Sequence, residues 1–241
     1  MTEITVPDAV KSIPSLAFSC DNLVTVKLPP TVKSIDASFM NAKNLKNVIL
    51  PEGLELIGGK TFEGCASLQT ITIPSTVKTL GYGTFRGCTS LKSINIPDSV
   101  DTIGDGSFEK CYNLETVIIG NGVTNIAIDT FSQCYKLKTV IMGNSVDSIK
   151  NSAFSECKAL ETIVIPKILN SIGAYAFNEC ASLNKIYYMG TQEEWSTVSV
   201  YDMFNDALKN IKIYSYSETQ PAQAGYYWHY VNNIPTIWTE E

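Results

Sequence analysis

An interval of 23 residues governs most of this chain and limits what it can fold into. Phenylalanines keep the interval from Phe62 to Phe177, and leucines keep it from Leu45 to Leu183. Six cysteines share it: Cys65, Cys88, Cys111, Cys134, Cys157 and Cys180. Self-similarity at a fixed period of this length is typical of stacked repeat architectures. The chain is therefore predicted to be a repeat solenoid.

One unit, residues 91–113, shows how each repeat is built. Ile94 and Ile96 alternate with polar residues, which is the period of a half-buried β-strand. Pro97 follows and ends the strand, since proline cannot donate a hydrogen bond to a ladder. The second half of the unit has wider apolar spacing with glycines between, which indicates a turn and a short helical or 3-10 return path.

Such a unit cannot bury its apolar face alone, but stacked copies can. We expect the strands to form one parallel sheet, the phenylalanines to stack on the opposite side, and the cysteines to lie beside them. Seven residues per coil are predicted to point inward: Leu91, Ile94, Ile96, Val100, Ile103, Phe108 and Cys111.

The pattern L-x-x-I-x-I-P-x-x-V-x-x-I-G-x-x-x-F-x-x-C closely resembles the BspA-type leucine-rich repeats of bacterial surface proteins. The resemblance covers residues 1 to about 189. It implies a right-handed leucine-rich-repeat solenoid with a concave parallel β-sheet and an irregular or short-helical convex side. It also implies a secreted or cell-surface location and attachment to host or matrix proteins. Ala42 departs from the pattern by replacing the cysteine of its unit.

The two ends of the array differ. Met1 takes the leucine position of the first of about nine units of 22–23 residues, so that unit is truncated and the chain is expected to be a piece of a longer protein. No signal peptide is recognisable in it. Residues 190–241 are predicted to form a C-terminal cap. It would contain a helical segment within 190–210 and three short strands, with a hairpin turn at Asn232-Asn233.

Composition and motifs exclude several function classes. With 18 basic and 24 acidic residues the net charge is −6, which disfavours binding to nucleic acid. No apolar run is long enough for membrane insertion. Motifs for a catalytic triad, a zinc protease, a P-loop or a dinucleotide site are absent, so no catalytic residue, cofactor or metal site is predicted. The single histidine, His229, is expected to lie in a strand of the cap.

The even spacing of the cysteines does not resemble a disulfide framework or the tight pairs of a zinc site. We interpret them as small buried thiols that stay reduced. Cross-linking of neighbouring thiols along the stack is the alternative. No Lys, Arg or His recurs beside them to lower their pKa.

A candidate partner site lies on the outward face of the strands. The second outward position becomes apolar in four consecutive units: Ile118, Ile141, Val164 and Tyr187. A contiguous exposed apolar stripe suggests an interface. Strand propensity, or cover by the C-terminal segment, would explain the same residues without a partner.

These observations favour a non-enzymatic binding or adhesion module with a protein partner, such as a host, matrix or other surface protein. Two alternatives stay open. The chain could be a carbohydrate-binding module that uses the C-terminal aromatic hairpin, so a glycan is the other candidate partner. It could also be the non-catalytic repeat region of a larger enzyme.

Overall fold

The computed structural model of the chain describes residues 2–209 and 211–238. The chain winds into a β-solenoid of about 9 turns, in which parallel sheets dominate and helix is scarce. This architecture confirms the predicted solenoid. The leucine position assigned to Met1 lies outside the described residues.

Nineteen strands and two short helices make up the described fold. In chain order they are β1 (Glu3–Thr5), β2 (Thr25–Lys27), β3 (Ser34–Ile35), β4 (Asn47–Ile49), β5 (Leu56–Ile57), β6 (Thr79–Leu80), β7 (Ser93–Ile96), β8 (Thr102–Ile103), β9 (Thr116–Ile119), β10 (Asn125–Ile126), β11 (Thr139–Ile141), β12 (Ser148–Ile149), β13 (Thr162–Ile165), β14 (Ser171–Ile172), β15 (Lys185–Tyr188), α1 (Gln192–Ser196), β16 (Ser199–Val200), a 3-10 helix (Asp206–Leu208), β17 (Lys212–Tyr216), β18 (Tyr227–Val231) and β19 (Ile234–Ile237).

Most coils contribute one strand to each of two sheets of parallel strands. The strand sheet contains the predicted strands, in the orders β1-β2-β4 and β7-β9-β11-β13-β15-β17-β18-β19. The return sheet contains two-residue strands, in the orders β3-β5-β6-β8 and β10-β12-β14-β16. Register follows the repeat, so that Thr139 pairs with Thr116 on one side and Thr162 on the other.

Eight of the nine predicted strand copies are present among the described residues. Residues 70–73 have the strand pattern but no regular strand, and they separate the two parts of the strand sheet. Nothing in the local packing explains this interruption.

The core follows the repeat pattern. All seven inward positions of the unit at 91–113 are buried, with exposed fractions of at most 4%. The phenylalanines from Phe18 to Phe177 stack along the solenoid, with ring centroids 5.0–5.3 Å apart and planes inclined by 10–16°. Every coil thus repeats the same contacts with its neighbours, as expected for a solenoid.

The return path contains turns and the return sheet, so the convex side has the irregular rather than the short-helical form of the prediction. Gly106 and Lys110 both have left-handed backbone angles, with φ of 60° and 62°, and the equivalent residues of neighbouring coils do the same. A left-handed residue interrupts a right-handed helix. The backbone bonds to the next coil instead, as in the 2.9 Å bond from the Phe108 amide to the Thr130 carbonyl.

The sheets continue through the C-terminal region. β17 pairs in parallel with β15, and β18 pairs in parallel with β17. β18 and β19 then form the predicted antiparallel hairpin, whose turn residues Asn232 and Asn233 have φ of 50° and 63°. Positive φ at both central positions is typical of a type I′ hairpin turn. The division of the chain at residue 189 remains an interpretation.

Asn205 closes the return side of the last coil. In an earlier coil the amide of Phe154 donates to the backbone carbonyl of Ala176 at 2.8 Å. The amide of Phe177 donates to Oδ1 of Asn205 at 3.0 Å, and Nδ2 of Asn205 donates to the Gly173 carbonyl at 2.8 Å. A buried side chain therefore supplies the hydrogen bonds that another repeat would have supplied.

Candidate functional site

The structure divides the predicted apolar stripe into two parts. Ile118 is 44% exposed and Ile141 is half-buried. Val164 and Tyr187 are only 1% and 3% exposed, so the expectation that all four form an exposed stripe was wrong for these two. A partner could therefore not contact the side chains of Val164 and Tyr187 directly in this conformation.

The C-terminal hairpin buries them. Trp228 of β18 is fully buried and packs against Val164 and Tyr187. Its ring meets that of Tyr187 edge-on, with centroids 5.3 Å apart, and its Nε1 donates to the carbonyl of Tyr188 at 2.9 Å. The last strands therefore cover the outward face of β13 and β15. Such cover by the C-terminal segment is the alternative to a partner that the sequence suggests at these residues.

Beside this covered area lies an open cavity of about 670 Å³, which we call the hairpin groove. Its apolar floor includes Ile118, Ile141 and the edge of Val164, and Tyr230 of the hairpin and Met189 also line it. The groove extends toward a second cavity of about 420 Å³, since Asn144 and Met189 line both. An apolar floor with a few polar groups at the margin is the usual composition of a binding cleft.

A column of residues at the same position in four consecutive coils follows one margin of the two cavities: Asp98, Asn121, Asn144 and Lys167. The first three line the groove, Lys167 lines the second cavity, and neutral Ser75 precedes them in the same column at the groove. Oδ1 of Asp98 accepts a hydrogen bond from the Asn121 amide at 2.6 Å. Oδ1 of Asn121 in turn accepts one from the Asn144 amide at 2.8 Å. We call this column the rim; its inter-coil bonds fix the backbone along the groove.

Several polar side chains at the groove have no partner among the described residues. The Oγ atom of Ser99 is buried and makes no hydrogen bond. The side chains of Asn95 and Asn144 line the groove, and no hydrogen bond to either occurs in the described part of the chain. Because unpaired donors and acceptors cost free energy when they are desolvated, a ligand that pairs with them gains affinity and specificity.

The cysteines form a buried column with no reactive thiol. Sγ of Cys111 donates to the carbonyl of Phe85 at 3.2 Å, and the other five repeat-spaced thiols make the equivalent bond. All six are free and buried, whereas Cys20 is free and exposed. Burial raises the pKa of the Cys65 and Cys180 thiols to about 12. A thiol with such a pKa stays protonated and unreactive at neutral pH.

The aromatic residues of the hairpin point in two directions. His229 lies against Trp238, with ring centroids 3.7 Å apart, on one side of β18. Trp228 and Tyr230 lie on the other side, where Trp228 is buried and Tyr230 is 37% exposed. If the chain binds carbohydrate through the hairpin, the sugar rings would have to stack on Tyr230 and the exposed Tyr226, because the Trp228 ring is fully buried.

Within residues 2–209 and 211–238, no group of three or more His, Cys, Asp or Glu side chains could hold a metal ion. No helix in the described part of the chain is long and apolar enough to cross a membrane.

Sequence reasoning found the floor of the groove and missed its margins. The rim could have been recognised, because its residues occupy one repeat position where earlier units have Ser75, Glu52 and Pro30. Tyr230 could not have been placed there, because the hairpin lies outside the repeat and no periodicity fixes where it packs.

The family model described as the BspA type leucine rich repeat region matches the chain in 6 copies, at residues 1–38, 36–160 and 102–229. Among curated proteins, none matches this chain significantly.

Solved structures show the same fold. A leucine-rich repeat protein from Bacteroides ovatus ATCC 8483 is 25% identical, with a TM-score of 0.74, and the match covers 90% of this chain and 66% of that one. The T. pallidum leucine rich repeat protein is 29% identical, with a TM-score of 0.59 and coverage of 75% and 77%. A leucine rich cell surface protein from Faecalibacterium prausnitzii A2-165 is 22% identical, with a TM-score of 0.52 and coverage of 83% and 82%. The repeat pattern, the two parallel sheets and the family match together show that the chain belongs to the BspA-type leucine-rich repeat family.

Proposed function

We propose that this chain is a non-enzymatic binding module of a bacterial cell-surface or secreted protein, and that it recognises a protein partner through the hairpin groove. The observation that carries the proposal is the open cavity of about 670 Å³ over Ile118 and Ile141, with Tyr230 beside it. The groove offers a recessed, largely apolar surface, which suits recognition.

The chemistry of the groove favours a protein partner. Ile118 is 44% exposed, and Ile168, which lines the adjacent cavity, is 49% exposed. Clustered exposed apolar side chains on a soluble protein mark interaction sites. Tyr230 can contribute as an anchor, since tyrosine is enriched among the residues that dominate binding energy.

The groove is also preformed. Its floor residues lie on β9 and β11, which are hydrogen-bonded on both sides within the strand sheet. A site on regular strands loses little conformational entropy on binding, which favours affinity.

A surface location is favoured by the family and by the similar structure from Faecalibacterium prausnitzii, which is described as a cell surface protein. A glycan is the second candidate partner. The neutral amide groups of Asn95 and Asn144 around the groove favour it.

The test compares two matched substitutions. Ile118→Ser removes an apolar side chain from the groove, and Ile49→Ser removes one from the same outward strand position in an early coil, where Ile49 is 51% exposed. Binding of the chain and both variants would be measured on immobilised host matrix proteins and on a glycan array, beside a melting curve. We expect Ile118→Ser to weaken protein binding by about tenfold, or about 1.4 kcal/mol, while Ile49→Ser binds normally.

Equal binding by the two variants would contradict the groove as the site. Binding to glycans alone, lost in Ile118→Ser, would replace the protein partner by the second candidate.

A further inference from the structure

We infer that the hairpin groove takes an extended segment of the partner protein, with a basic and an acidic residue four positions apart and an apolar residue midway between them. This inference rests on the proposed function and adds the chemistry of the segment that is recognised.

The first argument is the charge along the rim. Among the described residues that line the two adjacent cavities, the charged side chains are Asp98 in the groove and Lys167 in the second cavity. They occupy the two ends of the rim, and neutral Asn121 and Asn144 lie between them. Neither charged side chain takes part in an ion pair within the described part of the chain, and both residues are exposed. A ligand with a positive group at one end and a negative group at the other would complement this arrangement.

The second argument is distance. Asp98 and Lys167 are three coils apart, and strands in a sheet are about 4.8 Å apart, so the two charges are separated by about 14 Å along the solenoid. An extended chain advances about 3.3 Å per residue and covers about 13 Å in four residues. An α-helix advances only about 6 Å over the same four residues, so a helical segment with that charge spacing would not reach both ends.

The third argument is the direction of the side chains. In an extended segment, residues i, i+2 and i+4 point to the same face. When these three residues face the groove, the charged residues i and i+4 can reach the two ends of the rim, and residue i+2 lies between them over the floor, where Ile118 and Ile141 are apolar and Tyr230 lies alongside. The unpaired amide groups of Asn95 and Asn144 can donate to and accept from the backbone of the segment.

The experiment uses immobilised synthetic peptides and the full chain. One set has Lys and Asp four positions apart with Leu midway, in both orders, and a control set has the same composition in scrambled order. The chain is expected to prefer the designed set, and the preference should decrease at high salt because the charges at the rim are exposed.

Two variants test the ends of the rim. Asp98→Asn keeps a side-chain oxygen that can accept the hydrogen bond from the Asn121 amide, because Asn121 accepts the equivalent bond from the Asn144 amide in the next coil. The fold should therefore be retained. It should reduce the preference for the designed peptides by up to about fivefold, the range of an exposed ion pair. Lys167→Glu should shift the preference to peptides with Lys at both charged positions.

Matched controls are Asp101→Asn and Lys150→Glu, which make the same charge changes at exposed residues outside the groove. Both controls should keep the original preference. Equal binding of designed and scrambled peptides, or an unchanged preference in Asp98→Asn and Lys167→Glu, would overturn the inference.

The proposed function has a separate readout. If Ile118→Ser loses binding to the partner protein while the rim variants have no effect, the groove binds a partner but not this kind of segment. If Ile118→Ser also binds the partner protein normally, both the groove as the binding site and the charged segment as its ligand are contradicted. Glycan binding that depends on Ile118 and not on the rim charges would likewise overturn the peptide segment.

Discussion

Trp228 attaches the C-terminal hairpin to the solenoid, and its replacement by alanine should release the hairpin while the coils stay folded. The side chain is fully buried and contacts Val164 and Tyr187, and its Nε1 donates to the Tyr188 carbonyl at 2.9 Å. The other hairpin residue in this outward-facing cluster, Ile237, is only partly buried.

The magnitude follows from the burial. A tryptophan side chain buries about 150–250 Å², which at about 25 cal/mol per Å² corresponds to about 4–6 kcal/mol. The hydrogen bond adds about 1 kcal/mol. Because measured losses for large-to-small aromatic changes are about 3–5 kcal/mol, we expect the free energy of local opening of the hairpin to fall by that amount.

Hydrogen exchange measures this local opening. In Trp228→Ala, the amides that join β18 to its neighbours, such as the Ser217 amide bonded to the Trp228 carbonyl, should lose protection. Amides of β9 and β11 should stay protected. Tyr226→Ala is the control, since Tyr226 is 49% exposed and should leave the exchange of β18 nearly unchanged. Unchanged protection of β18 in Trp228→Ala, or an equal loss in all coils, would refute the assigned role of Trp228.

Three further predictions concern stability. Phe108→Ala should cost about 3–5 kcal/mol by interrupting the stacked phenylalanines, and an unchanged melting temperature would argue against their role in the core. Asn205→Ala should cost about 1–3 kcal/mol, seen as faster amide exchange of Phe177, because it leaves that buried amide without an acceptor. The pKa of a cysteine thiol is ordinarily 9.0, and burial raises the pKa of Cys65 and Cys180 to about 12 in the folded chain. Between pH 9 and 12 these thiols lose their protons in the unfolded state but keep them in the folded state. The free energy of unfolding should therefore fall as the pH rises from 9 toward 12. Alanine at both positions should make that pH dependence of the melting temperature less steep, while the four other buried thiols keep their contribution. An equally steep curve would exclude Cys65 and Cys180 as a source of it.

The repeat made much of the fold predictable. In a solenoid each coil contacts its neighbours through the same positions, so a 23-residue spacing defines a column of contacts directly. The inward residues of the unit at 91–113, the phenylalanine stack and the buried cysteines could all be derived in this way. The Asn232-Asn233 turn was also predictable, because its conformation depends on local sequence.

The return path was less predictable, because apolar spacing does not reveal backbone handedness. Gly106 suggests a left-handed residue, but Lys110 does not, and only the structure shows that both adopt it. Two left-handed residues in each coil replace the expected helical turn by tight turns, and the backbone bonds to the next coil.

The C-terminal end of the array determines which residues of the candidate site are accessible. The sequence by itself determined that Ile118, Ile141, Val164 and Tyr187 share one outward column, because strand alternation and the repeat fix that geometry. It could not determine which of them stay accessible. That depends on Trp228 and Tyr230, which lie outside the repeat and reach the column only when the last strands fold over the sheet. Non-periodic contacts between distant residues leave no regular pattern in a sequence, so the tertiary structure alone decided where the solenoid is covered and where the groove stays open.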